Sequence, residues 1–212
     1  MTHFPETISQ PLAVESTQAE CLTEIFRDDV NLTVWKRPPL PGAQTFAQSL
    51  FAHTNKLERF INLGPGEPAN ALLPDWARQL DGAAAWLDDV NQLIDMYRCL
   101  FEPDAVGVRL HALNGTMCPR FHTDRVPVRL LCTYRGTGTE WLPESAVARG
   151  VGADPLPNQT PGEGEIQQVP PGAVALLKGE AWIGNEGRGL VHRSPDASRL
   201  PRLVLGLDWL AD

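Results

Sequence analysis

"CPRFHTDRVPVRLLCTY", residues 118–134, sets a histidine and an aspartate two positions apart at the head of an alternating apolar run. Successive side chains on a strand point to opposite faces. A strand that stays regular through Pro127 therefore carries His122, Asp124, Val126, Val128, Leu130, Cys132 and Tyr134 on one face. That face reads as interior, with Arg125, Arg129 and Thr133 turned outward, where charge is cheap. An interior carboxylate beside an interior imidazole needs a partner, because an unpaired buried charge is expensive. A divalent metal is one such partner. The competing reading is a core histidine satisfied by hydrogen bonds and a turn aspartate ahead of Arg125.

Two ligands hold a metal poorly, so the sequence is read for a third on another strand. His3 falls in the N-terminal segment, His53 at a helix end and His111 on the β-run before the motif. His192, in "GLVHRSP" at 189–195, lies between two expected strands. His122, Asp124 and His192 then form a two-histidine, one-carboxylate set, which occupies one face of an octahedral metal and leaves positions open for ligands and dioxygen. Cys118 could add a thiolate to the same three residues. That set would suit zinc in a closed structural site.

The last apolar run, "RLVLGLDW" at 202–209, alternates in the same way. Arg202, Val204, Gly206 and Asp208 share one face, on which a guanidinium could hold a carboxylate in a bidentate fork. Leu203, Leu205, Leu207 and Trp209 share the other, a greasy surface that amphipathic helices could cover. A register slip would put Arg199 or Arg193 in the place given to Arg202.

Bulk properties agree with a globular enzyme or binding protein. A chain of 212 residues buries roughly 70% of its unfolded surface. No apolar run approaches the ~20 residues of a membrane span. The N-terminus lacks the basic start and apolar stretch of a secretory signal, so cytoplasm is the expected location. The four cysteines are widely spaced without a C-x-x-C pair, which suits reduced thiols. The formal charge is −8, with 7 Lys+Arg against 14 Asp+Glu in residues 1–103 and 11 against 12 in residues 104–212. Tight nonspecific nucleic-acid binding, which needs a basic face, is not expected. Five arginines between Arg109 and Arg135 could still meet an acidic ligand, or could be solvated positions on the outside of a sheet.

Along the chain the first half reads mainly as helix. Leu22, Ile25, Phe26 and Val30 have helical spacing, as do Phe46, Ala47, Leu50 and Phe51 in a second helix ending near His53. A stripe from Trp76 through Leu80, Ala84, Leu87, Val90 and Ile94 to Tyr97 follows Pro74, and Gly82 divides it. One short strand is expected at 31–36. From 105 onward short β-rich runs take over, at 106–112, 126–134, 139–142, 167–169, 173–178, 190–193 and 203–209. The segment 143–172 holds six prolines and five glycines, and reads as a lid or an insertion. The expected organisation is a helical region at 1–104 packed on a β-domain at 105–212.

His122-x-Asp124, "GTGTEWL" at 136–142, "VPPGAVALLKGE" at 169–180, His192 and Arg202 fall in the order seen in iron(II)- and 2-oxoglutarate-dependent oxygenases, which the C-terminal half resembles. The resemblance implies an α+β chain built on a double-stranded β-helix, a jelly-roll or cupin-like barrel, with the N-terminal helices packed on its outer face. It implies Fe(II) bound by His122, Asp124 and His192, and 2-oxoglutarate held by Arg202 with help from Tyr134. Dioxygen would convert the cosubstrate to succinate and carbon dioxide while a small-molecule or protein substrate is oxidised. Where many such enzymes have Arg-x-Ser, this chain has Arg202-Leu203-Val204, so one hydroxyl for the carboxylate is missing. "MCPRFHTDRVPVRLLCTYRGTGTEWLPE" with "LLKGE" and "VHRSP" more closely resembles a bacterial family known as domain of unknown function 1826, over most of the chain. That resemblance implies a setting of zinc homeostasis. The alternative function is therefore a non-catalytic, zinc-handling metal protein using Cys118 with the triad. A third is a metal-free barrel that binds other proteins.

Overall fold

The computed structural model describes residues 10–150, 156–162, 164–195 and 200–210, so His3 and Arg199 lie outside the described residues. Strands β1 (Leu12–Ser16) and β2 (Val30–Trp35) flank a 3-10 turn at Ala19–Phe26. Helix α1 (Pro41–His53), strand β3 (Lys56–Leu63), the short helix α2 (Asp75–Arg78) and helix α3 (Ala83–Phe101) complete the first half. Strands β4 (Ala105–Leu113), β5 (Val128–Arg135), β6 (Glu140–Trp141), β7 (Gln167–Gln168), β8 (Val174–Lys178), β9 (His192–Arg193) and β10 (Arg202–Leu210) make up the second.

Pro41 sits at the start of α1, where its missing N–H costs nothing. Gly82 does split the apolar stripe. It has φ +80°, and a Cβ there would stand 2.3 Å from the Gly42 carbonyl oxygen and 2.6 Å from the Phe46 nitrogen. Glycine is what allows α3 to begin against α1. The buried side of α3, including Trp86, Val90, Leu93, Ile94 and Tyr97, then faces the sheet.

Seven strands form one sheet in the order β1-β2-β8-β5-β10-β4-β3, and β7-β6-β9 form a second. Helices cover one face of the large sheet, where Leu203, Leu205 and Leu207 of β10 join Val128, Leu130 and Cys132 of β5 in the main core. The alternation read along 202–209 is thus realised. On the opposite face Leu32, Val34, Ala175 and Leu177 meet Trp141, Val169 and Leu190, so the small sheet packs on part of the large one.

Three expectations need correction. The architecture is α+β with a sheet-rich core, but the large sheet is open, with β1 and β3 at its two edges, and no closed barrel forms. The first half, expected to be mainly helix with one strand at 31–36, holds three strands, of which β2 is the expected one. It supplies β1, β2 and β3, and the sheet runs across the expected boundary at 104. Val30, read as helical, opens β2, because the helical turn ends at Phe26. Among the described residues no helix is long and apolar enough to cross a membrane.

Candidate metal centre

The two histidines meet across a backbone bridge. His122 N donates to the His192 carbonyl at 2.9 Å, and His192 N returns the bond to the His122 carbonyl at 3.0 Å. Directly opposed residues of this kind carry their side chains on the same side, and the two rings lie 4.6 Å apart between centroids. Asp124 is brought beside them by the end of β8. Gly179 N donates to the Pro127 carbonyl and Glu180 N to the Asp124 carbonyl, both at 2.8 Å. A Cβ on Gly179 would lie 2.0 Å from the Val126 carbonyl oxygen, so only glycine lets the strand come this close.

This attachment bends the chain at 125–127 and ends the regular strand that sequence alternation assumes. Beyond the bend the faces are exchanged. Val128, Leu130, Cys132 and Tyr134 point into the helix-covered core, whereas Arg129 and Leu131 line the pocket with His122. Arg129, expected to face outward, is a neighbour of the site.

One ligand atom from each of His122, Asp124 and His192 lies within 4.8 Å of the others. His122 Nδ1 is 2.9 Å from the Arg120 carbonyl oxygen and His192 Nδ1 3.1 Å from that of Leu190. A carbonyl oxygen only accepts, so each Nδ1 carries the proton and each Nε2 presents a lone pair. Both Nε2 atoms face the Asp124 carboxylate, at 4.0 Å from Oδ1 for His122 and 3.4 Å from Oδ2 for His192. Burial holds the His192 imidazole toward its neutral form, with Asp124 opposing and His122 reinforcing.

Asp124 is 8% exposed, and its Oδ2 is buried without a hydrogen-bond partner. Its other oxygen accepts from Arg129 Nη1 at 2.6 Å, and Arg129 Nε donates to Asp208 Oδ1 at 2.6 Å. Asp208 is itself 2.7 Å from Arg109 Nε. A buried carboxylate oxygen aimed at two lone pairs costs free energy unless a cation sits among them. Two imidazole nitrogens and one carboxylate oxygen on one side of an ion fit Fe(II), and would also accept zinc.

Arg202 lines the same pocket, which has a volume of about 160 Å³. Its guanidinium donates to the Thr137 carbonyl at 3.0 Å, Thr139 Oγ1 at 2.8 Å, Thr133 Oγ1 at 3.2 Å and Ser194 Oγ at 3.3 Å. All are neutral, and among the described residues no carboxylate pairs with it. Burial pulls the Arg202 guanidinium down to about 10, with Glu140 opposing. Val204 offers no hydroxyl, and three hydroxyls from neighbouring segments, those of Thr133, Thr139 and Ser194, stand around the guanidinium. Arg193 is already taken, since its Nε donates to Glu140 Oε2 at 2.6 Å and its guanidinium lies 4.3 Å from the Phe121 ring centroid.

Tyr134 is not part of this group. It lies on the far face of β5, and its hydroxyl donates to Asp89 Oδ2 at 2.6 Å in the helix-covered core. Cys118 lines the pocket but stands outside the group of candidate ligands. Sequence reasoning missed His111 and the hydroxyls around Arg202, and it flagged Arg109 and Arg129 only as members of an arginine cluster that could meet an acidic ligand. The register opposite β10 was the signal, since Asp208 faces Arg129, Gly206 faces Arg109 and Val204 faces His111.

The chain belongs to the family described as protein of unknown function (DUF1826), whose model matches residues 16–208. Among curated proteins none matches it. Similar solved structures include a rice dioxygenase for auxin oxidation, 18% identical with a TM-score of 0.54, covering 96% of this chain and 83% of that one. Another is a C-terminally truncated T7H from Neurospora crassa in apo form, 12% identical with a TM-score of 0.52, covering 97% of this chain and 96% of that one. At such identities the likeness is one of fold.

Proposed function

We propose that the protein is an iron(II)- and 2-oxoglutarate-dependent oxygenase, and that its two facing sheets correspond to the large and small sheets of a double-stranded β-helix. The observation that carries the reading is the orphaned Asp124 Oδ2 among the Nε2 lone pairs of His122 and His192. The rice dioxygenase for auxin oxidation, similar in fold, supports the general kind of chemistry. Bound Fe(II) would let dioxygen oxidise 2-oxoglutarate to succinate and carbon dioxide, one oxygen atom going to succinate and the other to the substrate.

The protein's own task is positioning. His122, Asp124 and His192 hold the ion on one side. Arg202, buried among neutral acceptors, takes the distal carboxylate of the cosubstrate and so fixes which end reaches the ion. Arg129 steadies Asp124 through Oδ1, leaving Oδ2, 3.4 Å from His192 Nε2, for the ion. A closed zinc site would need Cys118 as a fourth ligand, and among the described residues Cys118 lines the pocket outside the group of candidate ligands.

Anaerobic titration of the metal-free protein with Fe(II), then 2-oxoglutarate, tests this directly. A weak visible charge-transfer band is expected when the keto acid chelates the ion, and His122→Ala should abolish it. Arg202→Ala should keep iron while weakening 2-oxoglutarate by about 10- to 100-fold, the worth of a charge-assisted pair. Absence of the band with zinc tightly bound would mean a metal-handling protein instead.

A further inference from the structure

The pocket beside the triad carries a second, differently built arginine. Arg109 projects from β4 opposite Gly206 of β10. Its Nε stands 2.7 Å from Asp208 Oδ2 as an ion pair without hydrogen-bond geometry, and its guanidinium lies 5.1 Å from the Phe60 ring centroid. Among the described residues its two Nη groups make no hydrogen bond, and the side chain, 45% exposed, lines the pocket. One edge of the fork is thus fixed by a carboxylate and its plane by an aromatic ring, while the other edge is left open.

The neighbours on this face point the same way. His111 follows two positions along β4, and its Nδ1 is buried without a partner. Its nearest acid, Glu58, has Oε1 3.8 Å away. Gly206 leaves bare floor between Arg109 and Leu131, and a Cβ there would meet only ordinary contacts, the nearest being Leu131 Cδ2 at 3.5 Å. Packing does not demand a glycine at 206. What the glycine provides is room in front of Arg109.

Charge completes the case. Three guanidiniums, Arg109, Arg129 and Arg202, stand against two carboxylates, Asp124 and Asp208, while Arg193 is matched by Glu140. A divalent ion and doubly charged 2-oxoglutarate cancel one another, so one positive charge stays uncompensated. Arg109, 45% exposed, is the cation of the three that solvent reaches, so it is the one an entering anion can meet.

We propose that the substrate oxidised at this site is a small molecule bearing a carboxylate or phosphate group, which Arg109 grips over Gly206 with His111 as a second donor. The word substrate rests on the oxygenase reading, but the anion site itself does not. Arg109 thereby sets specificity, and Arg202 is left to the cosubstrate.

The test maps butanedione modification of arginines, residue by residue, in the full chain, with acetate and separately inorganic phosphate as probes. One probe, at about ten times its dissociation constant, should slow modification of Arg109 by about tenfold. The stronger protector distinguishes carboxylate from phosphate. Gly206→Val, which fills the floor and whose extended backbone accepts a side chain, should remove the protection without unfolding the protein. Equal modification rates with and without both probes would overturn the assignment, as would protection that survives in Gly206→Val. Protection by 2-oxoglutarate alone would make Arg109 the cosubstrate's residue and overturn it too. The charge-transfer band separates the two proposals. A band with Arg109 unprotected removes only the anionic substrate, whereas protection without a band removes the oxygenase and leaves an anion-binding pocket.

Discussion

The large sheet carries a buried polar cluster on each face, and the two are finished to different degrees. On the helix side, Asp89 of α3 accepts from Arg37 Nη1 at 2.5 Å, from Arg37 Nη2 at 2.7 Å and from the Tyr134 hydroxyl at 2.6 Å. Arg37 Nε donates to the Gly172 carbonyl at 3.0 Å, and its Nη2 reaches Cys132 Sγ at 3.5 Å. Every charge there is answered from within. On the pocket side, Asp124 keeps an oxygen without a partner, two imidazoles present lone pairs to it, and Arg202 is buried with neutral neighbours only. The difference teaches what burial alone does not. A polar cluster whose valences close is structural, and one whose valences stay open is built around something that arrives later.

Breaking the closed cluster should have the largest effect on stability. Asp89→Ala would strand the Arg37 guanidinium, which is 6% exposed, and the cost of removing one partner of a buried pair is about 3–5 kcal/mol. Denaturant unfolding should register that loss, while Fe(II) affinity of the folded fraction stays near wild type. An unchanged unfolding midpoint would show that the pair adds little. A parallel loss of iron affinity would show that the two faces are coupled through β5.

A smaller effect is expected where the open cluster borrows from a closed one. Arg129 bridges Asp124 and Asp208, at 2.6 Å from each. Arg129→Met removes the donor that orients Asp124, and the loss of such a supporting hydrogen bond lowers metal affinity by about 10- to 100-fold. Asp208 keeps Arg109 as a partner, so folding should survive. The measurement is Fe(II) affinity by anaerobic titration, with 2-oxoglutarate affinity of the iron-loaded variant as control. Tighter iron binding would mean that Arg129 mainly drains charge from Asp124 and does not orient it.

That His122 and Asp124 lie together and that Arg202 opens a strand was legible from local spacing, the two residues two apart and a long alternating run after Arg202, whereas His192 was reached by elimination among the histidines. Alternation along β10 holds because that strand is paired on both sides over most of its length. The same rule failed along 122–134, where Gly179 and Glu180, some fifty residues away, seize the backbone at Asp124 and Pro127 and bend it. Nothing in "HTDRVPVRL" announces that bend except Pro127, which has no N–H to give a ladder. Asp89 was equally hidden. Beside Asp88 it resembles the solvated side of a helix, and only the fold shows Arg37 and Tyr134 converging on it. Strand β3, "KLERFINL", escaped because an edge strand with most of its residues exposed has no apolar face to betray it.

Tyr134 provides the finest test, because its assignment changed with the face it occupies. On an unbroken strand from His122 it would reach the cosubstrate. In the structure it is fully enclosed, its ring 5.7 Å from that of Trp86 and its hydroxyl on Asp89. Tyr134→Phe removes one hydrogen bond from a carboxylate that retains both Arg37 donors, so the expected cost is about 1 kcal/mol, seen as a small drop in the unfolding midpoint. The dissociation constant for 2-oxoglutarate should not move. If instead the variant folds as well as wild type and binds 2-oxoglutarate more weakly, the closed cluster and the open one have been assigned to the wrong faces, and β5 runs without its bend.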